Sequence, residues 1–290
     1  MSNVIVFGLT GQVAQSLRDT QSSELAVTYA NRVACDLSEP LSVESYLEQE
    51  SPDLIINAAA YTQVDKAEEE PELAERINAD AVGVMARFAE ENQAKLIHIS
   101  TDFVFDGKKT SPYLPGDETG PLGEYGASKL GGELQALSAA PEKTMIIRTA
   151  WVYSEHGSNF VKTMLRLMKE RDELGVVSDQ RGSPTYARSL AEVVWQIVER
   201  DLFRPGIYHW TDDGDITWHD FALGIQNEGI EAGLLEQQIP VKAIATDDYP
   251  TPAARPAYSV LNTDKLATLS GCHPQPWQSN LSVALSRFAK

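Results

Sequence analysis

The run LIHISTDFVFDGKKTSPYLPGDETGPLGEYGASK, residues 96–129, decides how the rest of the chain is read. Leu96-Ile97-His98-Ile99 has the pattern of a short buried strand. It delivers Ser100-Thr101-Asp102-Phe103-Val104-Phe105, and a Pro/Gly-rich loop follows over residues 107–123. Tyr125-Gly126-Ala127-Ser128-Lys129 then opens a helix, with Leu130, Leu134 and Leu137 along one side. Tyr125 and Lys129 stand four apart, so a helix presents both on one face. A free phenol titrates at roughly 10. An ammonium held beside it favours phenolate and moves it toward the range of an acid–base catalyst. Thr101, at the end of the strand, can offer its hydroxyl to the same reacting oxygen. A Tyr-x-x-x-Lys pair by itself is common on helix surfaces, where Lys snorkels past a half-buried Tyr. Its company gives it meaning.

Upstream, Val4-Ile5-Val6-Phe7 is another short apolar run, and Gly8-Leu9-Thr10-Gly11-Gln12-Val13-Ala14 follows at once. Glycines allow a tight turn and a close backbone approach, while the helix that begins there offers free N–H groups to a phosphate. As the first turn of a βαβ unit, the pattern points to dinucleotide binding. Leu25 to Tyr29 is the next expected strand. A carboxylate at its end would chelate the ribose diol of NAD, but the chain gives Ala30-Asn31-Arg32, and an Arg there can accommodate a 2′-phosphate. NADPH is therefore the expected cofactor, with NADH also accepted. Asp36-Leu37-Ser38 reads as a loop into a helix, with Asp36 or Ser38 as its cap. Leu54-Ile55-Ile56 is a third buried strand, ending in Asn57-Ala58-Ala59-Ala60, where small side chains leave room for a flat ligand. Glu68-Glu69-Glu70-Pro71 reads as a solvated helix start, and Ala79 to Glu90 as a helix packed on the sheet. This alternation implies an α/β, Rossmann-type, doubly wound parallel sheet.

The bulk properties set the bounds. The 290 residues suffice for one or two domains, and 24 basic against 42 acidic residues leave a net charge of −18. Such a surface repels nucleic acid and anionic membrane, so neither is an expected partner. Cys35 and Cys272 make no disulfide framework, and neither a signal peptide nor a membrane span is readable, so a cytoplasmic protein is expected. The five histidines show no ligand spacing, His98 reads as a satisfied core residue, and no metal is assigned.

Together these stretches resemble the extended short-chain dehydrogenase/reductase family, over nearly the whole chain. Asn57 to Thr62, Val64 to Glu68, Ser100 to Phe105, Tyr125 to Lys129, Arg148 to Tyr153 and Asn159-Phe160 carry the likeness. Asp179 to Thr185 and Thr251 to Pro256 make it specific. The resemblance implies hydride transfer from a reduced nicotinamide to C4 of a nucleotide-linked 4-keto sugar. Tyr125 would donate the proton, Lys129 would tune Tyr125 and hold the nicotinamide ribose, and Thr101 would bind the C4 oxygen. Thr101, Asp102 and Trp151 would meet the sugar. Gly11, Gln12, Val13, Asp36, Leu37, Ala60, Tyr61 and Thr62 would line the cofactor. Relatives that dehydrate at this site resemble the chain but place Asp-Glu after the Thr; here Asp102-Phe103 lacks that carboxylate, which favours reduction. Some reductases of this kind form a dimer bridged by Mg²⁺ between glutamates. Alignment puts Ser16 and Arg188 at those positions, and neither suits a cation that takes oxygen ligands, carboxylates above all. A monomer is expected. The rival readings are a reductase giving another C4 epimer and a non-catalytic nucleotide-binding subunit.

Downstream, Asn159 to Met168 and Leu190 to Val198 read as amphipathic helices, Ile207 to Trp210 as a strand returning to the sheet, and Leu281 to Phe288 as a last helix. Lys162, Arg166, Lys169 and above all Arg255 are candidates for a substrate diphosphate. The expected division is a dinucleotide-binding domain over 1–154, with returning segments from the second half, and a mainly substrate-binding lobe over 155–290.

Overall fold

The computed structural model describes residues 3–288. The first lobe alternates strand and helix: β1 (Val4–Phe7), α1 (Gln12–Thr20), β2 (Val27–Ala30), α2 (Pro40–Glu50) and β3 (Leu54–Asn57). Two short helices, α3 (Val64–Ala67) and α4 (Pro71–Glu75), lead through a π-helical turn at Arg76–Asp80 into α5 (Ala81–Glu91). Then come β4 (Lys95–Thr101), α6 (Glu124–Ala139), β5 (Thr144–Thr149) and β6 (Val152–Tyr153). The second half adds α7 (Phe160–Glu170), β7 (Leu174–Val177), β8 (Arg181–Gly182), β9 (Thr185–Tyr186), α8 (Ala187–Glu199) and β10 (Gly206–His209). It ends with β11 (Ile216–Thr217), α9 (Trp218–Glu231), β12 (Val241–Ile244), α10 (Asp264–Ser270) and α11 (Trp277–Phe288).

Six strands form one sheet in the order β10-β5-β4-β3-β1-β2, and every pairing in it is parallel. Parallel strands are covered on both faces, which is why β1, β3 and β5 are buried along their whole length, with apolar runs in β1, Leu54–Ile56 and Met145–Ile147. Leu17 of α1 with Leu190, Val194 and Trp195 of α8 fills one face. Val43 and Leu47 of α2, Val82, Met85 and Ala86 of α5, and Ala136 of α6 fill the other. A second apolar core lies in the second half, where α7, α9 and α11 meet around Phe221, Ile225, Leu165 and Leu281. Asp212 joins these parts: its carboxylate accepts from the Tyr186 N–H at 3.0 Å, Ser189 Oγ at 2.9 Å and Asn280 Nδ2 at 2.7 Å. The returning segment expected at Ile207–Trp210 is β10, which pairs with β5.

Two expectations are corrected, and α6 shows which of its sides is buried. Neither Asp36 nor Ser38 caps α2: Glu39 is its N-cap and Pro40 opens it, while Asp36 bonds the Ser38 N–H and hydroxyl. Along α6, Leu134 is 59% exposed while Leu130 packs beside Val104, Phe105 and Tyr113. Helix α6 buries Gly126, Ser128, Lys129, Gly132, Glu133 and Ala136. A Cβ on Gly132 would lie 2.1 Å from the Asn78 carbonyl oxygen, and one on Gly126 would lie 2.3 Å from that of Phe103. Close backbone approach therefore decides which side of the helix faces inward. The Glu68–Glu70 segment is more than a solvated start: Glu68 Oε1 accepts the Glu124 N–H at 2.9 Å, capping α6 from another element. Glu70 accepts the Tyr61 hydroxyl at 2.8 Å.

Glu133 is matched by a buried Arg148 on β5. The guanidinium Nη2 lies 2.6 Å from Oε2 and Nε lies 2.9 Å from Oε1. Ser100 of β4 donates to the same carboxylate at 2.5 Å. Removing one partner of such a pair leaves the other charged and unsolvated. The variant Arg148→Met is expected to lose about 3–5 kcal/mol of stability in urea denaturation. A loss below about 1 kcal/mol would mean that water reaches the pair.

Candidate active site

A cleft of about 1160 Å³ opens along the carboxyl ends of β1, β2, β3, β4 and β5, where ligands bind in open parallel sheets. At one end the chain turns from β1 into α1. Gly8 sits at φ +111°, a conformation that strains any side chain, with Ala14 and the Ala58 carbonyl close beside it. Gly11 is the N-cap of α1 and supplies no side-chain cap, so the first N–H groups of the helix face the cleft without a partner of that kind. Nothing lies within 4 Å of a Cβ placed on Gly11. This cradle, with Gln12 and Val13, fits a diphosphate.

Asn31, Arg32, Asp36 and Leu37 stand at the far wall with the exposed Val33. The Arg32 guanidinium is largely in solvent and lies 3.2 Å from Asp36 Oδ2. The Ser38 amide and hydroxyl hold the Asp36 carboxyl below its usual range, and Arg32 adds to the shift. Ala58, Ala59, Ala60, Tyr61 and Thr62 form the floor. The Tyr61 backbone is clamped by the buried Asn78, which accepts its N–H at 2.8 Å and donates to its carbonyl at 3.1 Å. Asn78 also donates to Ser128 Oγ at 3.0 Å, tying the floor to α6. It sits in the π-helical turn, and no periodicity in the sequence marks it.

The other end of the cleft holds Thr101, Asp102, Tyr125, Lys129 and Trp151. Thr101 Oγ1 donates to Asp102 Oδ1 at 3.1 Å and accepts the Phe103 N–H at 3.2 Å. Burial pushes the Tyr125 phenol up to about 12, with Thr101 acting against the shift. This departs from the expected tuning by Lys129. The reason is geometric: Lys129 Nζ donates to the Ile99 carbonyl at 2.8 Å and lies 3.2 Å from His98 Nε2. Trp151 takes φ +47°, a conformation that costs a bulky residue energy. Its indole stacks on Trp218 at 3.6 Å between centroids and covers Gly182, where a Cβ would meet the ring at 2.6 Å.

Arg255 does not line this cleft. Its guanidinium engages Asp65 of α3 at 3.1 and 3.0 Å and also bonds Thr251. Lys162 is likewise taken up by the carbonyls of Glu155 and Gly157, and Arg166 by Glu170. From the second half come Gly157, Ser158 and Asn159 instead. Gln12 Oε1 accepts from Asn159 Nδ2 at 2.9 Å and Ser154 Oγ at 3.1 Å, joining the phosphate loop to the start of α7.

A doubly wound sheet with this turn after β1, and a Tyr-x-x-x-Lys helix at the carboxyl end of β4, defines an extended short-chain dehydrogenase/reductase. The chain belongs to the family described as RmlD substrate binding domain, whose model matches residues 1–290. It is 44% identical to a dTDP-4-dehydrorhamnose reductase of Escherichia coli strain K12, over 99% of this chain and 98% of that one. The crystal structure of a dTDP-4-dehydrorhamnose reductase from Clostridium acetobutylicum is similar, with a TM-score of 0.92 and 34% identity, covering 99% of this chain and 100% of that one. A third likeness is to the same enzyme from Bacillus anthracis in complex with NADP. Its TM-score is 0.90 at 34% identity, with 99% of each chain covered.

Asp102 gives a stability test. Its Oδ2 is buried without a hydrogen-bond partner, and burial pushes the carboxyl up to about 6. The unfolded value is about 3.9, so the folded state binds the extra proton between the two values. Stability is then full at low pH and falls as pH rises from about 4 to 6, by on the order of 3 kcal/mol. The variant Asp102→Asn is expected to be more stable than wild type at pH 7.5 and equal to it at pH 4 in chemical denaturation. Equal stability at both pH values would show that the anion is held without penalty.

Proposed function

We propose that this chain uses NADPH to reduce the C4 keto group of dTDP-4-dehydro-6-deoxy-L-mannose, giving dTDP-L-rhamnose. The observation that carries it is the placing of Thr101, Tyr125 and Lys129 at one end of a cleft whose other end is a phosphate cradle, in a chain similar along its whole length to reductases of that name. The cradle, the alanine floor and the basic Arg32 fit the nucleotide. Bound there, the reduced nicotinamide supplies the hydride. Tyr125 gives its phenolic proton to the oxygen as the carbonyl becomes an alcohol, and Thr101 aligns that oxygen through its hydroxyl. Lys129 reaches the ribose side of the cleft floor, and Asp102 and Trp151 contact the sugar. Arg255 serves by fixing residues 251–255 against α3 rather than by meeting phosphate. The residues up to 154 hold the cofactor, and the lobe centred on α7, α9 and α11 closes over the sugar. In this reading the protein is a cytoplasmic enzyme; no helix among the described residues is long and apolar enough to cross a membrane.

The variant Tyr125→Phe should lower turnover by about a hundred- to ten-thousand-fold and leave cofactor affinity near normal. The assay is NADPH oxidation with the 4-keto sugar, with the product epimer identified by NMR. Retention of half the rate would remove Tyr125 from the mechanism.

Cofactor choice follows from the cleft's far wall. Arg32→Asp should weaken NADPH more than NADH, because a carboxylate repels the 2′-phosphate. Equal affinities for both cofactors in wild type and variant, read by fluorescence titration, would remove Arg32 from that role.

A monomer is the assembly that the sequence supports. Ser16 is buried and Arg188 is paired with Glu192, so neither offers a carboxylate to a bridging cation. Light scattering should give one mass with Mg²⁺ or EDTA, with activity unchanged by the chelator. Dissociation on chelation would overturn it.

A further inference from the structure

Residues 179–185, one of the two segments that make the family likeness specific, stand outside the lining of the cleft, and the reaction as described does not use them. Their contacts converge on Trp151. The Thr185 N–H bonds the Trp151 carbonyl at 3.3 Å, and the Thr149 hydroxyl donates to that of Thr185 at 3.1 Å, so the backbone is gripped on both sides of the indole. Val152 and Tyr153 then pair with Thr185 and Tyr186. A bulky residue at φ +47° persists only where its surroundings fix it, and these bonds do so.

The ring is seated by a second set of contacts. Gly182 pairs with Ile216 and Arg181 with Thr217 in a two-stranded antiparallel sheet, and Trp218 follows directly. Arg181 Nε donates to Asp215 at 2.8 Å, and the Ser183 hydroxyl donates to the Gly214 carbonyl, which ties the two strands together. One small platform therefore carries both supports of the indole. Trp218 lies 3.6 Å from Trp151 between centroids, with the ring planes 12° apart. A Cβ on Gly182 would lie 2.6, 2.7 and 2.9 Å from Cε2, Cζ2 and Nε1 of Trp151. Gly182 has no left-handed backbone angle, so alanine suits its φ and the missing methyl serves the ring alone.

We propose that Gly182 and Trp218 are positioning residues that act through Trp151. Their platform sets how far the indole reaches into the sugar end of the cleft, and with it the room left between Trp151, Thr101 and Tyr125. The ring already touches Trp218 on one face, so a methyl on Gly182 is not absorbed there, and the indole moves toward the cleft that it lines. The phosphate cradle lies at the other end and keeps its shape. The effect on turnover rests on the reductase reading, in which Trp151 meets the sugar; the seat itself does not.

Steady-state rates of NADPH oxidation with the 4-keto sugar give the first test. Gly182→Ala should raise KM for the sugar about tenfold or more, while kcat falls less than about threefold. NADPH affinity, read by fluorescence titration, should be unchanged. Trp151→Leu lacks the ring atoms that meet Gly182, so in that background Gly182→Ala should change the sugar KM by less than about twofold. Where turnover is too slow, Kd for dTDP-L-rhamnose by calorimetry replaces KM. The second test needs no substrate. In protein with ¹⁵N-labelled tryptophan, the Trp151 indole N–H, assigned by its loss in Trp151→Leu, should shift in Gly182→Ala. Those of Trp195 and Trp210, in the sheet's own core, should stay in place. Trp218→Phe narrows the stack without touching Gly182; it should move the same resonance and the sugar KM, and it carries both tests if Gly182→Ala does not fold. A Trp151 N–H or a sugar KM that neither variant moves, or the same KM rise with and without the indole, would overturn the proposal. A wild-type protein that does not reduce the sugar overturns the reductase reading instead, and the indole shift alone then decides whether the seat exists.

Discussion

The placing of Thr101, Tyr125 and Lys129 around the cleft depends on one buried ion pair. Glu133 and Arg148 hold α6 against β5, and Ser100 joins β4 to the same carboxylate. Tyr125 and Lys129 lie on that helix, Thr101 directly follows Ser100, and Trp151 follows the end of β5. A nonpolar pair of the same volume could be as stabilising, because desolvating two charges offsets much of their attraction. What the ion pair adds is direction. Its fork of hydrogen bonds has one register, so the three elements that carry the reacting groups cannot slide past one another without stranding a charge.

The same helix is held at its start and its middle by unlike means. Glu68 caps its start from α3's end, and glycine contacts bring its middle onto the π-helical turn and its first turn onto Phe103. Asn78, at that turn, clamps the floor of the nucleotide cleft to Ser128. The two ends of the cleft are thereby one rigid surface. The second half adds to it through a few polar joints, Gln12 with Asn159 and the Asp212 cluster, and through the stacked aromatics.

Much of the sheet could be read from residues because its signals are local. Short apolar runs such as Val4–Phe7 and Leu54–Ile56 are unambiguous when a glycine turn or small residues follow. The cradle at Gly8–Val13 was equally plain. What failed was anything set by a distant partner. The row of Leu130, Leu134 and Leu137 does not say which side of α6 is buried; Gly132 must meet the Asn78 carbonyl, and that contact turns the helix. Arg255 reads as a free cation until Asp65, 190 positions away, is seen beside it. Lys129 has the right spacing to Tyr125, but the Ile99 carbonyl and His98 decide where its head group goes. Asn78 left no trace, because a single buried amide has no periodicity.

The indole of Trp151 sits on a strained backbone at the border of the two cores, face to face with Trp218 of α9. Two indoles that close couple, and the sign and size of the circular dichroism they give follow the skew of their in-plane transition dipoles rather than the small tilt between the ring planes. One ring follows the end of β5 and the other opens α9. The stacked pair thus reports optically on how α9 sits against the end of β5, with no label added.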